Sequence, residues 1–185
     1  MDFHNSTNLD DARLKRMVLR HTVPYRHDDL VVRVRYSRGA DFSGSYYYKK
    51  ARIYVNVGRR VRYPYSFATH IAKAISGARS WRRPAYHVAV ADGYQLALFV
   101  YLHELYHYLT SVAGRSPRRK EAMCDRFAAR VLADEYGAKI TDAQRRPARR
   151  ESWDFKDLHA FVAAAPKETS TTAVRKTIPV VIRGL

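Results

Sequence analysis

The chain has 185 residues, 46% of them hydrophobic and one of them cysteine, which supplies enough apolar material for a single core and excludes a disulfide framework or a multi-cysteine zinc ribbon. Basic residues number 34 against 17 acidic ones, a net charge of +17 that favours polyanionic partners such as nucleic acid. No uninterrupted apolar run of about 18 residues occurs, and the opening MDFHNSTNLDDARLKR lacks a basic segment followed by an apolar one, so the composition predicts a cytoplasmic protein with no membrane partner.

Along the chain, Leu9, Leu14, Met17 and Val18 recur at helical spacing and predict a helix over 8–21. Residues 30–37 and 46–58 alternate as strands and read as a hairpin or as neighbouring strands joined through a turn region at Gly44. Residues 66–78 suit a helix that stops at Gly77, and 85–91 suit a strand broken by Asp92 and Gly93. A long apolar helix is predicted from Tyr94 to Val112 with Gly114 just past its end, and a second from Ser116 as N-cap and Pro117 at its first position to Tyr136, before Gly137. The short connection predicts that these two helices fold back antiparallel. A further short helix is expected at 153–164, and 166–185 reads as a flexible tail with a strand-like end, TIPVVIRGL. No repeat or boundary divides 1–165, so the expected architecture is one compact α+β domain, with a small and mostly antiparallel sheet packed on the antiparallel helix pair.

The first of the paired helices carries His103-Glu104-Leu105-Tyr106-His107, the H-E-x-x-H spacing. Residues four apart lie one above the other on a helix, so both imidazoles can face one ion, with Glu104 turned towards the water that completes a tetrahedral site. The second helix offers Glu121 and Asp125, again four apart. In an antiparallel hairpin centred near residues 114 and 115, Glu121 falls opposite His107 and Asp125 opposite His103, at levels matched by the rise of about 1.5 Å per residue. Glu121 can then be a third ligand, and Asp125 can accept the free N–H of His103. On the same register argument Cys124 is expected to be a small core residue rather than a ligand.

HELYH followed by EAMCDRFAARVL resembles the H-E-x-x-H and E-x-x-A-D signatures of gluzincin metallopeptidases, in particular ImmA/IrrE-type proteins, over about residues 94–136. The resemblance implies a zincin-like fold, Zn2+ held by His103, His107 and Glu121, and peptide hydrolysis with Glu104 as general base. The interval of 14 residues between His107 and Glu121 is similar to the compact minigluzincin arrangement. Thr110 and Ala113 stand where a metzincin has Gly and His, and no histidine between His107 and His159 could serve a SprT-like site. Many such enzymes steady an oxyanion with His or Tyr, a role that the 14 tyrosines here leave unassigned. The charge keeps a second reading open, a nucleic-acid-binding protein on the same scaffold, with zinc structural or absent.

Overall fold

Helical and strand periodicities alternate along the chain. The computed structural model, which describes residues 1–25, 27–77, 80–118 and 120–164, is accordingly a mixed α+β structure with four α-helices and three small sheets among those residues. The tail expected at 166–185 lies outside the described residues. No described helix is long and apolar enough to cross a membrane.

The Asp10 side chain accepts the Arg13 amide at 2.7 Å and opens α1 (Asp11–Thr22), whose buried stripe of Leu14, Val18 and Thr22 follows the four-residue spacing. The main sheet contains β1 (Asp2–Asn5), β2 (Val31–Tyr36), β3 (Phe42–Tyr47) and β4 (Arg52–Val57), in the order β1-β2-β4-β3. β1 runs parallel to β2 and β2 parallel to β4, while β3 pairs antiparallel to β4 along the edge. The expectation of a mostly antiparallel sheet is therefore corrected here: alternation marks strands but not their direction, and the interposed β3 returns the chain so that β4 runs alongside β2.

The stretch 46–58 is two elements rather than one. A 3-10 turn over Tyr48–Lys50 and the left-handed Ala51, with φ 42°, break the extended run. Gly44 also differs from the expectation, lying inside β3 opposite Val55 and in no turn.

A second sheet is antiparallel throughout: β5 (Tyr65–Thr69), β8 (Tyr86–Val90) and β9 (Lys139–Thr141), with β8 central. The helix expected over 66–78 is thus overturned. Phe67 and Thr69 are buried at period two and pair with β8, and only the short hairpin strands β6 (Ile75–Ser76) and β7 (Trp81–Arg82) follow. Cross-strand pairing outweighs the modest helix preference of an Ala-containing segment.

Asp92 caps α2 (Gly93–Val112) by accepting the Gln95 amide, and every residue from Leu96 to Thr110 is buried. A helix that is apolar all round belongs inside, and α2 lies with β3 and β4 on one side and α3 (Glu121–Tyr136) on another. Gly114 and Gly137 take the left-handed conformation, φ 71° and 67°, just beyond the two helix ends. The start of α3 is corrected by four residues: Pro117 stays outside the helix because its carbonyl oxygen accepts a hydrogen bond from His107. The last helix, α4 (Leu158–Ala163), is shorter than expected, and Trp153 is buried ahead of it.

Candidate metal centre

The antiparallel packing of α2 and α3 brings His103, His107, Glu121 and Asp125 together. The His103 Nδ1–H group donates to Asp125 Oδ1 at 2.8 Å, and Asp125 Oδ2 accepts the His70 backbone amide at 2.7 Å, so both carboxylate oxygens are used. The His107 Nδ1–H group donates to the Pro117 carbonyl oxygen at 3.0 Å. A carbonyl oxygen only accepts, which assigns the proton of His107 to Nδ1 and leaves a lone pair on Nε2.

The other nitrogens converge. His103 Nε2 lies 3.2 Å from His107 Nε2 and 3.2 Å from Glu121 Oε2, and His107 Nε2 lies 3.5 Å from Glu121 Oε1. Two imidazole nitrogens and a carboxylate this close need a cation among them, either a proton or a metal ion. His103, His107 and Cys124 also offer donor atoms within 4.8 Å of one another, all buried, and could hold a metal ion. Cys124 is the buried core residue expected, but the expectation that register keeps it from the histidine pair is corrected: lying between Glu121 and Asp125 on α3, it keeps its sulfur within reach.

Electrostatics follow from burial and the crowd of carboxylates. Burial pulls the His103 imidazolium down, but hydrogen bonds to Asp125 and Glu121 outweigh it and carry its pKa up to about 10. His107 goes the other way, lowered to about 4 by burial and by the neighbouring His103. Glu121 would be raised by burial, yet the hydrogen bond and charge of His103 hold it below its usual value. Burial, followed by Glu121, Glu104 and Asp125, pushes the Cys124 thiol well up, which favours the neutral thiol over a ligand thiolate.

Glu104 is fully buried, and neither carboxylate oxygen accepts a well-formed hydrogen bond among the described residues, although the Tyr46 main-chain amide is near enough to lower its pKa. Burial, with the nearby carboxylates of Glu121 and Asp125 outweighing the relief from His103, raises its pKa to about 8. Its roof is β3: a Cβ at position 44 would stand 2.4 Å from Glu104 Oε1, so only glycine allows this approach.

Access comes from the Glu121 side, whose side chain is 37% exposed against 1% and 0% for His103 and His107. There a groove of about 600 Å³ runs between the β6–β7 hairpin and α3, lined by His70, Trp81, Arg83, Lys120, Glu121 and Arg126 among others.

Two participants escape sequence reasoning. His70 orients Asp125 through its main chain, which no side-chain pattern encodes. Tyr48 carries a buried hydroxyl without a hydrogen-bond partner, its pKa raised by burial and by the nearby charges of Glu104 and Glu121. Nothing in the Tyr46, Tyr47, Tyr48 run separates it from Tyr46, buried against Tyr108, or from Tyr47, which is exposed. Against protein-family models, characterised proteins and solved structures alike, the chain has no match.

Proposed function

We propose that this protein is a zinc-dependent peptidase of the gluzincin kind, with His103, His107 and Glu121 as ligands. The observation that carries the reading is the convergence of the two imidazole nitrogens, 3.2 Å apart, on the two oxygens of Glu121 at 3.2 and 3.5 Å, beside the fully buried Glu104. A tetrahedral ion with bonds of about 2.0–2.1 Å has ligand-to-ligand edges of about 3.3–3.4 Å, close to the 3.2 Å between the two imidazole nitrogens and the 3.2 Å from His103 Nε2 to Glu121 Oε2. Asp125 behind His103 and the Pro117 carbonyl behind His107 are the outer partners that liganding imidazoles commonly have. Glu121 is preferred to Cys124 as third ligand because it is already held as a carboxylate, while the thiol sits among three acidic groups.

Zinc, when bound, supplies Lewis acidity that polarises a substrate carbonyl and acidifies water. Glu104, buried beside the converging donors, receives the proton from the attacking water and delivers it to the leaving amine. The Tyr48 hydroxyl, with no partner of its own, donates to the oxygen on which negative charge develops. β3 pairs with β4 alone among the described strands, so its outer edge can receive an extended peptide by strand addition. β4 and β8, by contrast, are internal to their sheets and serve as core strands.

Metal analysis of the purified protein tests the assignment. One zinc per chain is expected in the parent, in Cys124→Ala and in Glu104→Gln, with zinc lost from Glu121→Ala. Stoichiometric zinc in Glu121→Ala overturns the ligand set. Against a mixed peptide library the parent should cleave and Glu104→Gln should not; equal rates remove Glu104 as the base.

A further inference from the structure

We infer that the outer face of the four-stranded sheet, remote from the metal centre's helices, is a binding surface for single-stranded nucleic acid. The register places its side chains. Val32, Val34, Ile53 and Val55 are buried on the face towards α2, so the alternate positions point outward. In adjacent rows these are Asp2, Val31, Arg52 and Tyr47, then His4, Arg33, Tyr54 and Ser45, then Arg35, Asn56 and Ser43. The helix that packs closely on this sheet, α2, lies on the opposite face.

Two adjoining cavities open here. One of about 970 Å³ lies at the carboxyl ends of the parallel strands and includes Arg35, Arg38 and Arg59; the other, of about 430 Å³, includes Arg33, Arg35 and Arg52. They share Ser6 and Arg35, and no acidic residue lines either one. The crevice outside the carboxyl ends of parallel strands is where open sheets generally bind ligands.

These five guanidinium groups are largely free of carboxylates. Asp2 is the one acidic side chain within ion-pair distance of any of them among the described residues, 3.6 Å from Arg33. Three are instead oriented by neutral or aromatic groups. Arg35 donates to Asn56 Oδ1 at 2.6 Å with its guanidinium 4.3 Å above the Tyr54 ring, Arg52 donates to the Tyr54 hydroxyl, and Arg59 lies 4.2 Å above the Tyr36 ring. A guanidinium stacked on an aromatic ring keeps its fork for phosphate oxygens and offers a flat surface to a base.

Along β2, Arg33 and Arg35 are about 6.6 Å apart, a repeat that successive phosphates of an extended single strand can follow. The face is a sheet with recesses and presents no helix or two-stranded ribbon to enter a duplex groove, which favours the single strand.

The test is fluorescence anisotropy of the full chain with labelled oligothymidylate from about 50 to 200 mM salt. With five phosphate contacts the log–log salt slope is about −3.5, an affinity loss of about a hundredfold over that range. The variant Arg33→Ala/Arg35→Ala/Arg59→Ala, which changes outward-facing side chains, should leave the far-UV spectrum unchanged and reduce the slope to about −1.4, a loss of about sevenfold. A control that removes equal charge from α1, Lys15→Ala/Arg16→Ala/Arg20→Ala, should keep the parent slope. The inference is overturned if no binding is detected, if both variants lose the slope equally, or if duplex DNA or polyglutamate competes as well as the single strand.

Discussion

The close approach of β3 to α2 can be tested at Gly44. An added Cβ would stand 2.4 Å from Glu104 Oε1, 2.9 Å from Glu104 Cγ and 2.9 Å from Val100 Cγ1. Favourable contact begins near about 3.5 Å, so the overlap is roughly 0.6–1.1 Å, and β3 cannot simply lift because its ladder to β4 and the buried Phe42 and Tyr46 hold it on both sides of position 44. Overpacking of this kind costs about 1–3 kcal/mol, offset by about 0.4–1 kcal/mol through the less flexible unfolded chain of the alanine variant. At the midpoints of these ranges the net cost is about 1.3 kcal/mol, so Gly44→Ala should lower Tm by roughly 3–5 °C for a chain of this length. The melt is followed by circular dichroism in EDTA, so that metal binding does not enter. Combining it with Glu104→Ala removes two of the three close contacts, and the double-mutant cycle should show favourable coupling of about 1 kcal/mol or more. If Gly44→Ala is as stable as the parent, or is equally costly with and without the Glu104 side chain, β3 does not roof the glutamate and the account of its burial fails.

In EDTA, the contribution of Glu104 to stability should fall as pH rises from about 4.5 to 8, because it binds its proton more tightly when folded and that stabilisation is lost as pH climbs through the folded value of about 8, while the lowered His107 contributes the opposite slope below about pH 6.5. Denaturant titrations at several pH values should show a shallower decline in Glu104→Gln, and parallel curves would contradict the raised pKa. Asp125→Asn should weaken zinc binding by about 10–100-fold, read by competition with a chromophoric chelator, because the amide cannot accept from both His103 and the His70 main chain; unchanged affinity would deny Asp125 its orienting role. Tyr48→Phe should lower turnover by about 10²–10³-fold with zinc content and Tm close to the parent, since its hydroxyl gives up no hydrogen bond; parent-like turnover would remove the oxyanion role.

Local patterns carry much of this protein. The helical spacing of Leu14 and Val18, the Asp92 cap and apolar length of α2, and the glycines just past α2 and α3 are properties of short sequence windows, and each has its counterpart in the structure. The pairing of His103 with Asp125 and of His107 with Glu121 is equally legible, because two helices joined by a short loop leave one degree of freedom, the register, and the rise per residue sets it. Only tertiary structure decided the rest. Strand direction in β2 and β4, the strand at 65–69 in place of a helix and the late start of α3 all depend on partners distant in sequence, whose hydrogen bonds outweigh local preference. The burial of Glu104 under Gly44, the approach of Cys124 to the histidine pair and the gathering of scattered arginines onto one sheet face come from chain segments far apart in sequence, and a one-dimensional pattern holds no record of which of them will touch.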